Sequence, residues 1–165
     1  MDADKLNGLA EDEAAARLRE CCAASAWVAG MLAGRPYASG AEVRAHGARL
    51  LDHLDWDGIQ EALDAHPRIG ERVTGTGQEA AWSRREQAGT ADSTDEVKAA
   101  LVAANRAYEE RFGHVFLIFA SGKSDVEMLA AAQARVEHAD AHERTVVRGE
   151  LGRIVDLRLQ RMLES

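Results

Sequence analysis

The stretch from Arg111 to Ser124 reads RFGHVFLIFASGKS. Its centre, VFLIFA, is six apolar residues with two β-branched members and two phenylalanines. Taken alone, that composition is a buried β-strand. The rest of the chain reads differently. Alanine is heavily used, and 14 glycines and 2 prolines leave few helix breakers, which favours an α-rich fold. A single strand among helices has no partner, yet buried backbone N–H and C=O groups must be paired. Two readings stay open. The segment is a short buried strand or irregular turn satisfied by side chains or water, or it offers backbone groups to a ligand.

Working outward, helix starts are marked by hydroxyl residues followed three positions later by a glutamate. Ser39 with Glu42, Thr76 with Glu79, Ser93 with Glu96 and Ser124 with Glu127 all fit the capping box. In that box a side-chain oxygen satisfies an orphan N–H and the carboxylate bonds back. Helices are predicted over 11–33 (whole or broken), 39–53, 55–65, 77–88, 94–111, 125–138 and 142–163. The connections 34–38, 66–75 and 112–123 stand out between them. The expected fold is all-α, a single-domain multi-helix bundle over 1–165 with a short extended segment near 114–120.

The chain has 165 residues, 46% apolar and 29% charged, the balance of a globular domain with a real core. The net charge of −8 argues against a nucleic-acid surface, which needs a basic stripe. No apolar run approaches the ~20 residues of a membrane span, and the acidic N-terminus lacks a signal-peptide core. A cytoplasmic protein with no membrane or nucleic-acid partner is the expectation. Cys21 and Cys22 are adjacent, so they build no disulfide framework and read as packing residues or as a reactive thiol.

Four constellations bear on chemistry. In ALDAHPRIGE, Ala62 to Glu71, Pro67 disfavours helix for the residue before it, so a helix should end near His66. The negative end of the helix dipole favours imidazolium there, and a His titrating near neutrality suits acid–base work. It is equally a common helix-end residue. In WSRREQAG, Trp82 to Gly89, Ser83, Glu86 and Gln87 share one helix face, as a functional polar cluster or as an ordinary solvated face. In the last helix, Val147, Ile154, Val155 and Met162 fall within about 60° of Leu151 at 100° per residue. Arg158 lies near the centre of that stripe. An Arg there needs a carboxylate partner, internal or from a substrate. Finally, EHADAHE, Glu137 to Glu143, places His138 and His142 at i, i+4. That spacing suits a metal, but the charges around it read as a solvated helix junction.

Together, CCAASAWVAGMLAGRPY, ALDAHPRIGE, WSRREQAG, NRAYEERFGHVFLIFASGKS and IVDLRL, in that order, resemble the 2-oxo-4-hydroxy-4-carboxy-5-ureidoimidazoline (OHCU) decarboxylases of urate degradation. HPRIG, S-x-x-E-Q-x-G and N-x-x-Y-x-x-x-F-G at these separations are jointly specific, and the likeness runs from about Leu6 to Leu163. It implies an all-helical enzyme without cofactor or metal, usually a homodimer, that converts a small ureidoimidazoline to (S)-allantoin and CO2. The family's catalytic His falls on His66 and its acidic partner on Glu86. Substrate contacts fall on Pro67, on Ser83, Arg84, Arg85 and Gln87, on Leu117, Ile118, Phe119 and Ala120, and on Arg158. One departure is RVEH, Arg135 to His138, where the family often reads R-L-x-N. The rival from another class is a helical binding module whose polar groups satisfy one another.

Overall fold

The computed structural model describes residues 1–69 and 94–165. Among them are eight helices: α1 (Ala3–Gly8), α2 (Glu11–Cys21), α3 (Ser25–Ala33), α4 (Gly40–His53), α5 (Trp56–Asp64), α6 (Asp95–Phe112), α7 (Asp125–Arg135) and α8 (Asp140–Glu164). No strand occurs among the described residues. The all-α class therefore stands, and the strand reading of VFLIFA is corrected to an irregular connection. The chain divides into two compact units, one of residues 1–62 and 152–165, the other of residues 63–151.

Three of the eight described helices, α4, α6 and α7, start at or beside the hydroxyl signals. Ser39 accepts from the Glu42 N–H, while the Glu42 carboxylate reaches one residue further back and takes the Ala38 N–H at 2.6 Å. Ser124 accepts from the Glu127 N–H at 3.2 Å. The cap of α6 is Thr94, which accepts from Val97, rather than Ser93. Either hydroxyl offers the same oxygen, so the pattern alone leaves a one-residue ambiguity. Helix α1 was not expected; Asp2 caps it by accepting from the Lys5 N–H. The expected helix 77–88 and its Thr76 cap lie outside the described residues.

In the first unit the predicted 11–33 helix is broken: Cys22 is extended, and Ser25 starts a new helix. Ala24 supplies no side-chain cap. Glu61 on α5 does that work instead, accepting from the Ser25 N–H at 2.6 Å and the Ser25 hydroxyl at 2.9 Å. Both cysteines are buried. The Cys21 thiol lies 3.9 Å from the Met162 sulfur, so it packs as a small apolar residue. Trp27, Met31 and Leu159 close on α4 at Gly47, where an added Cβ would stand 3.0 Å from Leu159 and 3.3 Å from Trp27. The Trp27 indole N–H donates to the Gly47 carbonyl at 3.0 Å.

In the second unit, α6, α7 and the connection between them share one apolar cluster: Ile69, Leu101, Tyr108, Phe116, Ile118, Ala120, Met128 and Ala132. The connection is bracketed by Gly113 and Gly122 at φ 78° and 77°, a left-handed backbone that glycine adopts without steric cost. Between these turns, every second side chain (Phe116, Ile118, Ala120) enters the cluster. That period of two is what extended backbone gives. Segment 114–120 is thus extended, buried and unpaired with any other strand among the described residues.

Candidate active site

Helix α5 ends at Asp64, and the His66 N–H closes the following turn by donating to the Leu63 carbonyl at 2.9 Å. The helix stops just before Pro67, as the proline requires. His66 and Pro67 are half-buried. The loop is then pinned to α6 at two points one turn apart. Asn105 Nδ2 donates to the Ile69 carbonyl at 2.6 Å. The Arg68 guanidinium straddles Glu109, with Nε to Oε1 at 2.6 Å and Nη2 to Oε2 at 3.2 Å. A cleft of about 340 Å³ opens beside this loop, lined by Arg68, Val102, Asn105, Arg106 and Glu109. Among the described residues its lining does not include His66 or residues 117–120.

The extended segment answers where its backbone bonds go. Alternate carbonyls are held by side chains. His114 Nδ1 lies 3.1 Å from the Val115 oxygen, Arg135 Nη1 donates to Leu117 at 2.7 Å, and Lys123 Nζ donates to Phe119 at 2.7 Å. The Ala120 carbonyl accepts from the Lys123 N–H. In extended backbone a residue's N–H and C=O point to one side and its neighbours' to the other. The carbonyls of one edge are therefore clamped, while the Leu117 and Phe119 amides on that edge meet no partner among the described residues. On the other edge, the Phe116 and Ile118 carbonyls and the amides of Phe116, Ile118 and Ala120 bond to nothing among the described residues. Phe116, Ile118 and Ala120 are themselves buried, so polar partners for this edge, from a ligand or from the rest of the chain, would lower its cost.

The clamp is built on a buried charge pair. Glu143, 0% exposed, accepts from the Tyr108 hydroxyl at 2.6 Å and from Arg135 Nε at 2.8 Å through Oε1. Its Oε2 lies 2.9 Å from His138 Nδ1. Arg135 Nη2 also stands 2.6 Å from Oε1, but at an angle unsuited to a hydrogen bond. The guanidinium lies 4.6 Å from the Phe116 ring centre. Burial alone would push the Glu143 carboxyl up. The bonds from Arg135, Tyr108 and His138, with the Arg135 charge, outweigh it and hold the carboxyl below its ordinary 4.5. Burial and the Glu143 bond push the Tyr108 hydroxyl above the usual phenol range. The expectation of a solvated junction holds for Glu137 and for residues 139–142, which are exposed, and is corrected at Glu143, which is core, with His138 turned toward it. The His138 and His142 rings stack edge to face at 4.4 Å.

The second unit thus gathers His66, Pro67, Leu117, Ile118, Phe119 and Ala120. Their two segments meet in one apolar cluster through Ile69 and Ile118. Ser83, Arg84, Arg85, Glu86 and Gln87 lie outside the described residues. Arg158 belongs to the first unit and is 1% exposed. It shares a buried stripe of α8 with Ile154, Val155, Leu159 and Met162, and Val147 and Leu151 are buried as expected. The sequence reading missed Asn105, Tyr108, Lys123, Arg135 and Glu143 as builders of the site. Asn105 and Tyr108 carried a signal: they are polar, three apart, and share the buried face of α6.

Comparisons with known proteins agree with this architecture. Residues 7–160 match the family model described as OHCU decarboxylase. A 2-oxo-4-hydroxy-4-carboxy-5-ureidoimidazoline decarboxylase from Amia calva is 30% identical over 174 residues, covering 99% of this chain and 95% of that protein. One from Haloferax volcanii is 29% identical over 163 residues, covering 98% and 95%. The uric acid degradation bifunctional protein TTL of Arabidopsis thaliana is 27% identical over 149 residues, 88% of this chain and 46% of that protein. Among solved structures, an OHCU decarboxylase crystallised in the presence of (S)-allantoin superposes with a TM-score of 0.78 at 25% identity, covering 89% of this chain and 96% of that one. On these matches, the chain belongs to the OHCU decarboxylase family.

Proposed function

We propose that this protein decarboxylates OHCU to (S)-allantoin and CO2 in urate degradation, as a cofactor-independent carboxy-lyase. The observation that carries this reading is the match of residues 7–160 to the OHCU decarboxylase family, supported by a backbone edge at Phe116 and Ile118 that meets no partner among the described residues. A planar ureido-substituted ring presents N–H donors and carbonyl acceptors along its rim, the complement of a strand edge. The match over 7–160 also supports one such domain spanning 1–165.

In the reaction the bond to the carboxylate carbon breaks and CO2 leaves. The electron pair enters the neighbouring C=N of the ring, which serves as its own electron sink. The ring carbon that carried the carboxylate loses its hydroxyl proton and becomes a carbonyl, while one proton is added to the ring nitrogen that received the electron pair and one to a single face of the ureido-bearing carbon. The protein's tasks are to orient the carboxylate and to manage these protons. In this proposal His66 is the acid–base group, with Glu86 fixing its tautomer. Pro67 and the Leu117–Ala120 backbone line the ring. Ser83, Arg84, Arg85 and Gln87 hold its polar edges, and Arg158 holds the carboxylate or a ring carbonyl. The homodimer and the cytoplasmic setting belong to the same proposal; light scattering on the purified protein measures the first.

The test generates the unstable substrate in place from urate with uricase and hydroxyisourate hydrolase and follows circular dichroism. The protein should speed the growth of an (S)-allantoin signal, and His66→Ala should slow it by roughly 10²–10⁴-fold. A decay unchanged by the protein would reject the enzyme reading and leave the binding module.

A further inference from the structure

The segment read above as the substrate's backbone platform is not held by a sheet. Its clamped edge is held by side chains, and the central clamp is Arg135. Nη1 takes the Leu117 carbonyl at 2.7 Å, and the guanidinium lies 4.6 Å from the ring centre of the preceding residue, Phe116. Arg135 thus grips two successive residues, one by its carbonyl and one by its ring. Arg135 is itself fixed from behind. Glu143 takes its Nε at 2.8 Å, and Tyr108 and His138 hold the two Glu143 oxygens at 2.6 and 2.9 Å. Because Arg135 is bonded both to the segment and to Glu143, it holds the central carbonyl of the segment in a fixed direction, with His114 and Lys123 at the flanks.

That direction is what the ligand would feel. Because N–H and C=O directions alternate along extended backbone, turning the Leu117 carbonyl toward Arg135 turns the Phe116 and Ile118 groups the opposite way, out along the open edge. We propose that Arg135, locked in place by Glu143, is a positioning residue for the reaction: it touches no reacting atom but aims the Ile118 backbone edge at the ureidoimidazoline ring. The proposal rests on the functional reading above and deepens it. The group aimed at is a cyclic ureide with adjacent donors and acceptors. Misplacing such an edge by about 1 Å costs on the order of 10²-fold in rate, even though the chemistry proceeds elsewhere on the ring.

The experiment compares wild type, Arg135→Lys and the double variant Arg135→Met/Glu143→Gln in the circular dichroism assay. Folding is checked by far-ultraviolet spectrum and melting. Lysine keeps the positive charge beside Glu143 but loses the planar fork that serves Glu143 and Leu117 at once. The double variant removes both charges and nearly keeps the volume, so it should be more stable than a variant that leaves one charge buried without its partner. We expect both folded variants to raise KM about 10-fold or more and to lower kcat/KM by roughly 10–100-fold. Unchanged KM in a folded variant would overturn the proposal. So would a kcat that falls only in proportion to the folded fraction, because that is what a purely structural role predicts. A wild-type protein that does not accelerate the reaction sinks the functional reading itself. An active wild type with wild-type-like variants sinks only the role of Arg135.

Discussion

Two arginine–carboxylate pairs, one in each unit, use the same chemistry to different ends. Arg44 and Asp156 meet bidentately at 2.8 and 2.6 Å, with side chains 39% and 43% exposed. Arg135 and Glu143 meet at 2.8 Å with side chains 7% and 0% exposed. The first pair joins two helices whose backbone bonds are already made within the helices, and water competes for both charges. The second sits under a segment with no helix or sheet to satisfy it, and each of its partners has another job. Exposed pairs are worth little, whereas removing one member of a buried pair strands the other. The difference teaches where this fold relies on polar side chains: at a buried segment whose backbone has been left out of regular structure.

Four measurements break or sharpen that contrast. Glu143→Ala should cost the most, about 3–5 kcal/mol of unfolding free energy by urea titration, because the Arg135 charge stays buried without its carboxylate. Tyr108→Phe keeps the ring and removes one charge-assisted bond to Glu143. It should cost about 1.5–3 kcal/mol in the same titration. Acid titrates the same centre. The Glu143 carboxyl is held below its ordinary 4.5, so the unfolded chain binds the proton first as pH falls. The Glu143 contribution is present above that value and is lost as pH drops through the lower, folded value. Wild type should therefore lose stability below about pH 4.5 more steeply than Glu143→Gln, whose side chain does not titrate. Asp156→Ala is the smallest, about 0.2–1 kcal/mol, and it should shrink further in 1 M salt while the Glu143 effect persists. Equal costs for Asp156 and Glu143 would break the comparison.

Much of this was legible in the sequence because it is local. Hydroxyl-x-x-Glu signals mark the starts of α4 and α7, Pro67 marks the end of α5, and the 100° stripe put Arg158 among buried residues of α8. The unusual segment stood out because VFLIFA contradicts its helical surroundings. What was not legible is non-local. Arg135 and Glu143 are eight residues apart on two different helices, separated by a turn at 136–139. No periodicity rule links positions across such a break. Glu143 lies in EHADAHE, where composition argues for solvent, and only the packing of α6, α7 and α8 around Tyr108 makes it core. The strand reading failed for a related reason. Composition reports burial and extension, both of which the segment has, but it does not report whether a second strand exists.

The most direct test of the account asks whether the open edge of segment 114–120 is where the ring lies. Backbone amide exchange would be followed residue by residue with and without saturating (S)-allantoin. The account predicts that the Phe116, Ile118 and Ala120 amides slow on binding, while Leu117 and Phe119, on the clamped edge, change little. Binding with no change at these three amides, or with protection confined to Leu117 and Phe119, would contradict it.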